Sequence, residues 1–253
     1  MMDQIVFKGE RVDDLQYQGL RIIQNAGLYR FTMDAVLLAD FASVHSGDTA
    51  VDLGTGVGIL PILMSAKCVR TFFHGFEVQA KLADMAARSV ILNGLSERIR
   101  IYAKDIKEAV DVLGYGSVRL VVTNPPYGKY HAASANEMAS LSDVIAKFEH
   151  SGCLRDFVDT ASKLLQVKGR FAVIYPVNRL LELTDQMRSA RIEPKRIRMV
   201  HPKIDRAPTV CLVEGVKHGN AGLRIMPPLI VYHQDNTLTD EVKKIYHQHS
   251  NTA

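Results

Sequence analysis

The chain has 253 residues, of which 47% are hydrophobic and 23% are charged, and its formal net charge is +4. These proportions are typical of a globular protein, and Gly or a charged residue interrupts each apolar run well before the about 18 residues that a membrane span needs. We therefore expect no membrane partner. The start of the chain lacks the basic and apolar stretches of a secretory signal, which predicts a cytoplasmic location.

The cysteines and the charges add two further expectations. Cys68, Cys153 and Cys211 are widely spaced and form no CxxC pair, which favours buried thiols over a disulfide framework and indicates no metal site. Between Arg191 and His218, seven Lys or Arg residues face three Asp or Glu residues, so the whole charge excess of the chain lies there. Such a segment indicates either a solvated face or a phosphate-binding surface.

The first 48 residues are interpreted as an N-terminal extension. They predict a short hairpin around residues 5–23 and a helix near residues 33–42, for which Thr32 is a candidate cap. From Thr49 onward, short β-branched or aromatic runs alternate with helical patterns, which is typical of a parallel sheet with crossover helices. The predicted strands are 50–53, 71–76, 100–103, 118–123, 170–175, 196–200 and 210–216, and the predicted helices are 57–66, 79–92, 107–113, 154–165 and 180–190.

The last two predicted strands are joined by a connection too short for a parallel crossover, so we expect them to be antiparallel. The fold class is therefore α/β and Rossmann-like, with a seven-stranded, mostly parallel sheet that contains one antiparallel strand. The chain is predicted to form a single domain, with a catalytic core over residues 49–218 and a tail over 219–253. The tail contains a predicted strand at 229–232 and a helix capped by Thr239. Residues 129–152 are either an active-site lid or a surface insertion.

A glycine-rich turn follows the first core strand and opens a helix, where it would let a ligand approach the backbone. Its ligand-binding candidates are Asp52, Gly54, Thr55, Gly56 and Gly58. Dinucleotide-binding proteins use the same geometry. The carboxylate of Asp52 makes a dinucleotide the poorer fit, because it would repel a pyrophosphate. It favours the ammonium and sulfonium of S-adenosylmethionine.

Acidic residues follow the next two strands. Glu77, with Val78 beside it, stands where an acid accepts hydrogen bonds from both ribose hydroxyls of a nucleoside. Asp105 could accept from an adenine amino group while the Ile106 amide donates to a ring nitrogen. Asp105 is also a natural helix N-cap, and the two roles are compatible.

The tetrapeptide Asn124, Pro125, Pro126 and Tyr127 closes the fourth core strand, at the sheet edge where ligands bind in such folds. The prolines stiffen the loop, and the Pro125 carbonyl and the Asn124 side-chain oxygen offer two acceptors for the two N–H groups of a planar amine or a carboxamide. Tyr127 offers an aromatic face for stacking. The two acceptors would favour the sp³-like nitrogen of a methyl-transfer transition state. No side-chain nucleophile is needed.

Together these residues resemble class I methyltransferases with the small-methyltransferase domain. They closely resemble the bacterial tRNA adenine-N6 methyltransferases that modify an anticodon-loop adenine of valine tRNA. The resemblance covers most of the chain and includes residues 30–39, 201–214 and 227–229. It implies a tRNA partner and a cofactor site that the helix at 31–39 helps to close, with Thr32 or Asp34 near the methionine moiety. It also implies RNA-binding basic residues, for which the candidates are Lys129, Arg196, Arg198, Lys203, Arg206 and Lys217.

Other functions share these motifs. A protein-glutamine methyltransferase of release factors uses the same two acceptors on a carboxamide, but that family carries a helical N-terminal domain, and only a short segment precedes Asp52 here. Guanine-N2 rRNA methyltransferases usually carry a duplicated domain, and DNA adenine methyltransferases a target-recognition region. A non-catalytic RNA-binding protein with a retained cofactor pocket is the alternative from a different class, and the intact Asn124 and Asp52 argue against it. By sequence alone, Asp34 is equally well a helix-start acid.

Overall fold

The computed structural model describes residues 5–25, 33–127 and 153–247. Thr32, Lys129 and the segment 129–152, predicted as a lid or a surface insertion, therefore lie outside the described residues. The described part opens with an antiparallel hairpin and a helix, and then alternates strands with helices as predicted. Its elements are β1 (Glu10–Asp14), β2 (Arg21–Asn25), α1 (Met33–Phe41), β3 (Thr49–Leu53), α2 (Ile59–Lys67), β4 (Phe72–Phe76), α3 (Ala80–Leu92), β5 (Ile99–Tyr102), α4 (Ala109–Leu113), β6 (Val118–Thr123), α5 (Leu154–Leu164), β7 (Leu165–Pro176), α6 (Leu180–Ser189), β8 (Ile192–His201), β9 (Val210–Lys217), β10 (Arg224–Ile225), β11 (Leu229–Ile230) and α7 (Asp240–His247).

The central sheet has the strand order β10-β8-β9-β7-β6-β3-β4-β5, with β11 also paired to β8. Strand β9 is antiparallel to both of its neighbours, β7 and β8, while the other pairings are parallel. The predicted reversal of one strand is confirmed. From β3 the chain runs outward through β4 and β5 and then returns to β6 on the other side, so β3 lies at the topological switch point where ligands bind.

Two apolar cores cover the two faces of this sheet. Neighbouring strand residues alternate between them: Ala50 belongs to the core beside α1 to α3, and Val51 to the core beside α4 to α6. Strand side chains point to opposite faces in turn, so strands that are apolar throughout require a helical layer on each side. The sheet therefore lies between two layers of helices.

Some element boundaries differ from the predicted ones. Gly58 has φ of 87° and serves as the N-cap of α2, so that helix begins at Ile59 rather than at residue 57. The predicted helix at 154–165 ends at Leu164 because Leu165 is already extended and pairs with Val118 of β6. Strand β7 therefore begins directly at the end of α5 and includes Gly169. Strand β10 was not predicted, because its two residues carry no periodic signal.

The N-terminal hairpin packs on α3 through polar contacts that also fix its register. The Arg88 guanidinium binds both carboxylate oxygens of Glu10, at 2.7 and 2.8 Å. The Ile23 N–H donates to the Ser89 hydroxyl at 2.9 Å. At the other end of the chain, the buried Val242 and Ile245 of α7 join the same core as α1. In the described ranges, no helix combines the length and the apolar character that a membrane span requires.

Candidate active site

A cavity of about 350 Å³ opens at the carboxyl ends of β3, β4 and β6. Parallel strands end at the same edge of a sheet, so the loops that follow them converge there. The cavity brings together most of the residues that the sequence predicted for a cofactor and substrate site. These are Asp34, Gly54, Thr55, Gly56, Glu77, Val78, Asp105, Ile106, Asn124, Pro125, Pro126 and Tyr127.

The glycine turn forms one wall of the cavity. The N–H groups of Gly54 and Thr55 both donate to the Phe76 carbonyl at 2.9 Å, which joins the turn to the end of β4. Gly54 has φ of 74°, and a Cβ at this position would lie 3.2 Å from the ring of Phe157. Both the backbone conformation and the space therefore require glycine here.

The third glycine of the turn lies at a helix contact, and its predicted cofactor-binding role stays a prediction. Gly58 does not line the cavity. A Cβ on Gly58 would lie 3.1 Å from the Cβ of Ala86, so this glycine lets the start of α2 pack closely on α3. Close packing of a helix is a recognised role of the last glycine in such turns.

Asp52 lies beneath the turn and is 1% exposed. Neither of its carboxylate oxygens accepts a hydrogen bond within the described part of the chain, and the residue does not itself line the cavity. Burial, with a further contribution from the nearby Glu77, raises the pKa of Asp52 to about 7, while the Thr55 side chain opposes the rise. A buried carboxylate without a counter-ion costs free energy, which a neighbouring cation would offset.

Glu77 links β4 to the glycine turn. One carboxylate oxygen accepts from the Gly56 N–H and the other from the Gln79 N–H, each at 2.9 Å. Burial raises the pKa of Glu77, and these two backbone hydrogen bonds oppose the rise. Each carboxylate oxygen has a second lone pair, so the side chain can still accept hydrogen bonds from a ligand in the cavity.

Asp105 has the capping role that the sequence allowed. Its Oδ1 accepts from the Lys107 N–H at 2.9 Å, and the Asp105 N–H donates to Oε1 of Glu108 at 3.1 Å, which completes a capping box. The Ile106 N–H is at the first position of this short 3₁₀ turn, so it has no acceptor within the turn. The cap and a ligand-binding role are therefore geometrically compatible.

The Asn-Pro-Pro-Tyr segment forms the opposite wall. The Thr123 hydroxyl donates to the Leu53 carbonyl at 2.7 Å and so holds the end of β6 against β3. The Tyr127 hydroxyl lies 2.8 Å from Asp34 Oδ2 and 3.1 Å from Asn124 Oδ1. The first turn of α1 thus contacts the segment directly, and burial raises the pKa of Asp34 while the Tyr127 hydrogen bond opposes the rise.

Two residues that sequence reasoning missed support this site. Phe157 of α5 lines the cavity and contacts the glycine turn. Arg179, just after β7, donates to the Tyr127 carbonyl at 2.9 Å, and its guanidinium lies 5.0 Å from the centre of the Tyr175 ring. Phe157 resembles any other apolar residue of an amphipathic helix, and Arg179 any surface charge, so neither carried a local signal.

The basic segment separates into two groups. Arg196 binds Glu214 and the Phe41 carbonyl, Arg198 binds Glu241 and the Pro227 carbonyl, and Lys217 binds Ser162 and the Ala190 carbonyl. Lys203 contacts only the Gln234 carbonyl within the described residues, and Arg206 is exposed. The RNA-binding role stays a prediction, and among its candidates in the described part Arg206 is exposed and Lys203 makes a single side-chain hydrogen bond.

Comparison with solved structures defines the class of this fold. A predicted O-methyltransferase from Agrobacterium tumefaciens matches with a TM-score of 0.69 at 22% identity, over 84% of this chain and 95% of that one. A geranyl diphosphate C-methyltransferase from Streptomyces coelicolor, solved with S-adenosyl-L-homocysteine, matches with a TM-score of 0.55 at 16% identity, over 72% and 79% of the two chains. The predicted class I methyltransferase fold is confirmed.

The sequence comparisons narrow the class to a family. The sequence model described as Methyltransferase small domain matches residues 32–191, and the chain belongs to this family. A relative from Porphyromonas gingivalis, named tRNA1(Val) (adenine(37)-N6)-methyltransferase, is 27% identical over 220 residues, which cover 78% of this chain and 85% of the relative.

Proposed function

We propose that this protein is an S-adenosylmethionine-dependent methyltransferase that methylates the exocyclic N6 amino group of an adenine in the anticodon loop of a tRNA. One observation carries the proposal. Asn124 and Pro125 line one cavity together with the acids Asp34, Glu77 and Asp105. Such a cavity combines a site for a cationic donor with a pair of acceptors for an amine.

The charges of the cavity fit this cofactor. Asp34, Glu77 and Asp105 line it, and its described lining contains no Lys, Arg or His. The ammonium and sulfonium of S-adenosylmethionine are stabilised by such surroundings, whereas the phosphates of a dinucleotide would be repelled. The buried, unpartnered Asp52 beneath the glycine turn adds a fourth carboxylate that a cation would stabilise. Gly54, Thr55 and Gly56 would let the cofactor approach the backbone of the turn, whose N–H groups donate to Phe76 and Glu77.

The nucleoside end of the cofactor has its own candidates. Glu77 would accept from the ribose hydroxyls through the lone pairs that its backbone hydrogen bonds leave unused. Asp105 would accept from the adenine amino group while the Ile106 N–H donates to the ring. Val78 and Phe157 supply apolar lining for the flat base.

When bound, S-adenosylmethionine supplies a methyl group whose S–C bond breaks with its electron pair left on sulfur, while the amine lone pair forms the N–C bond and the nitrogen loses a proton to solvent. The residues of the chain prepare the amine. Asn124 and Pro125 would each accept one N–H of the amino group and hold both hydrogens out of the ring plane. This favours the sp³-like transition state over the flat ground state.

The adenine and tRNA parts of the proposal rest on other grounds. The relative from Porphyromonas gingivalis carries that activity in its name. Tyr127 lines the cavity, where its ring could stack on a base that has been splayed out of the anticodon loop. Lys203 and Arg206 follow the carboxyl end of β8, at the same edge of the sheet as the cavity, where they could contact the RNA backbone. A tRNA substrate would place the enzyme in the cytoplasm.

The test is to incubate the protein with labelled S-adenosylmethionine and either unmodified tRNA or release factor, and then to identify the methylated product. We expect N6-methyladenosine in tRNA. Methylated glutamine without N6-methyladenosine would contradict the proposal, as would N2-methylguanosine in rRNA. Cofactor binding without transfer to any of these would support a non-catalytic RNA-binding protein.

The variant Asn124→Ala tests the two-acceptor geometry. We expect kcat to fall by about 100-fold or more, because removal of one hydrogen-bonding group from such a site costs about 100- to 1,000-fold. The affinity for S-adenosylmethionine, measured by calorimetry, should stay near that of the wild type. If cofactor binding is lost instead, the role assigned to Asn124 is wrong.

A further inference from the structure

The Tyr127 hydroxyl lies between two acceptors from different parts of the chain. It is 2.8 Å from Oδ2 of Asp34, on α1, and 3.1 Å from Oδ1 of Asn124, at the end of β6. All three residues line the cavity. A phenol carries one hydrogen, so the hydroxyl cannot donate to both oxygens at full strength. One of the two acceptors therefore receives the hydrogen and the other does not.

The charge of Asp34 decides this competition. An ionised carboxylate is a stronger acceptor than a neutral amide oxygen, and hydrogen bonds to charged acceptors are shorter. The two distances follow that order, with the shorter one to Asp34. With the hydrogen directed to Asp34, the Tyr127 oxygen presents only lone pairs toward Asn124. The Asn124 oxygen then gains nothing from Tyr127 and stays available to a different donor.

A neutral amide at position 34 would reverse the arrangement. Its NH₂ group would donate to the Tyr127 oxygen, and the Tyr127 hydrogen would turn to Oδ1 of Asn124. That oxygen would then be occupied when a substrate amine approaches. The difference between a carboxylate and an amide at position 34 is thus transmitted to Asn124 through one rotatable O–H bond.

Contacts at its carbonyl and at its ring restrain Tyr127. Rotation of the O–H bond changes the direction of the hydroxyl hydrogen without breaking these contacts. Arg179 Nη1 donates to the Tyr127 carbonyl at 2.9 Å, and the same guanidinium binds both carboxylate oxygens of Glu182. The Tyr127 ring packs edge to face with Tyr175, at a centroid distance of 5.9 Å.

We propose that Asp34 is a positioning residue that takes the hydrogen of Tyr127 and so keeps the Asn124 oxygen available to the amino group of the substrate. This inference rests on the proposed amine methylation, whichever amine is the substrate. Asp34 acts through Tyr127 and Asn124 and does not touch the reacting atoms. The carboxylate of Asp34 thus acts on the Tyr127 hydroxyl, in addition to lining the cavity.

The test compares Asp34→Asn, Tyr127→Phe and the double variant in steady-state methyl transfer, with kcat and KM determined separately. We expect Asp34→Asn to lower kcat by about 20-fold, in the range of one lost charge-assisted hydrogen bond, with KM changed less. Adding Tyr127→Phe should raise kcat above that of Asp34→Asn, because the hydroxyl that occupies Asn124 is then gone. Tyr127→Phe alone should lower kcat less than Asp34→Asn does.

The matched control is Asp111→Asn, which removes the same charge from an exposed position on α4 outside the cavity. It should leave kcat and KM near wild type. A double variant no more active than Asp34→Asn would overturn the proposal. So would a loss of S-adenosylmethionine affinity that accounts for the whole defect of Asp34→Asn, since Asp34 would then act on the cofactor.

A second measurement needs no substrate and separates this proposal from the proposed function. In protein labelled with ¹⁵N-asparagine, the side-chain amide signals of Asn124, assigned with Asn124→Asp, should shift in Asp34→Asn and return toward wild type in the double variant. Unchanged signals would overturn the relay. If the wild type transfers no methyl group to tRNA but these shifts occur, the proposed substrate is wrong and the relay stands.

Discussion

The cavity and the basic segment at residues 191–218 are both rich in charge, but they differ in whether the charged side chains have counter-ions within the protein. At the cavity, Asp34, Glu77 and Asp105 converge without a Lys, Arg or His in the described lining, and Asp52 lies unpartnered beneath. In the basic segment, Arg196 and Arg198 form ion pairs with Glu214 and Glu241. The cavity acids have no counter-ion in the described lining, whereas Arg196 and Arg198 have theirs within the protein.

This difference shows that charge in a sequence does not by itself mark a binding site. Arg196 joins β8 and β9 to the end of α1, because it contacts Glu214, the Ser43 hydroxyl and the Phe41 carbonyl together. Such a residue stabilises the fold and is poorly placed to contact RNA. Burying a charge without a counter-ion costs free energy, so Asp52, which has none within the described residues, is the stronger indication of a ligand. The following predictions test this difference between the two regions.

Among the charged residues of these two regions, the largest effect is expected at Asp52. Asp52→Asn should weaken S-adenosylmethionine binding by about 50-fold at pH 8, because a buried carboxylate beside a cationic ligand is worth about 2 kcal/mol or more. Wild-type affinity should rise as the pH increases through about 7, where Asp52 ionises, and the affinity of the variant should not follow that rise. Calorimetric titration between pH 5.5 and 8.5 measures both.

The stability of the ligand-free protein provides the control for Asp52. The pKa in the folded state lies above the ordinary value of 3.8, so ionisation opposes folding. The stability associated with protonated Asp52 is fully present below about pH 4 and is lost as the pH rises through about 7. Ligand-free Asp52→Asn should therefore melt at a higher temperature than wild type at pH 8. A lower melting temperature would show that the carboxylate is paired within the protein.

The next largest effect is expected on stability, at Arg196, whose ion pair with Glu214 lies within the protein. Arg196→Ala should lower the free energy of unfolding by about 2 kcal/mol, because it leaves the buried Glu214 without its ion-pair partner. Urea unfolding measures this loss. The affinity for tRNA of the folded variant should stay close to wild type. If the variant has normal stability but binds tRNA weakly, Arg196 contacts RNA instead of stabilising the fold.

The smallest effect is expected for the double variant Lys203→Glu and Arg206→Glu. We expect the affinity for tRNA to fall about fivefold near physiological salt, and the slope of log K against log salt concentration to decrease by about 1 per lost phosphate contact. Melting temperature should not change. Arg70→Glu with Arg119→Glu makes the same charge change at the opposite edge of the sheet, and an equal loss there would indicate a general charge effect.

Much of the fold could be predicted because its signals are local. The alternation of β-branched runs with helical patterns located the seven main strands, and the short connection between β8 and β9 predicted their antiparallel pairing. The cavity-lining acids could be predicted because each directly follows a strand. The role of Gly58 could not, since it depends on Ala86, which lies in a different helix.

The sequence by itself determined the chemistry that is available: a glycine turn, acids after successive strands, and a stiff Asn-Pro-Pro-Tyr segment. Each of these is a property of a few neighbouring residues. Only the tertiary structure decided which charges are partnered. Asp34 meets Tyr127 across 93 positions of the chain, and Arg196 meets Phe41 across 155. Such contacts form when distant elements pack on one sheet, so no local pattern records them.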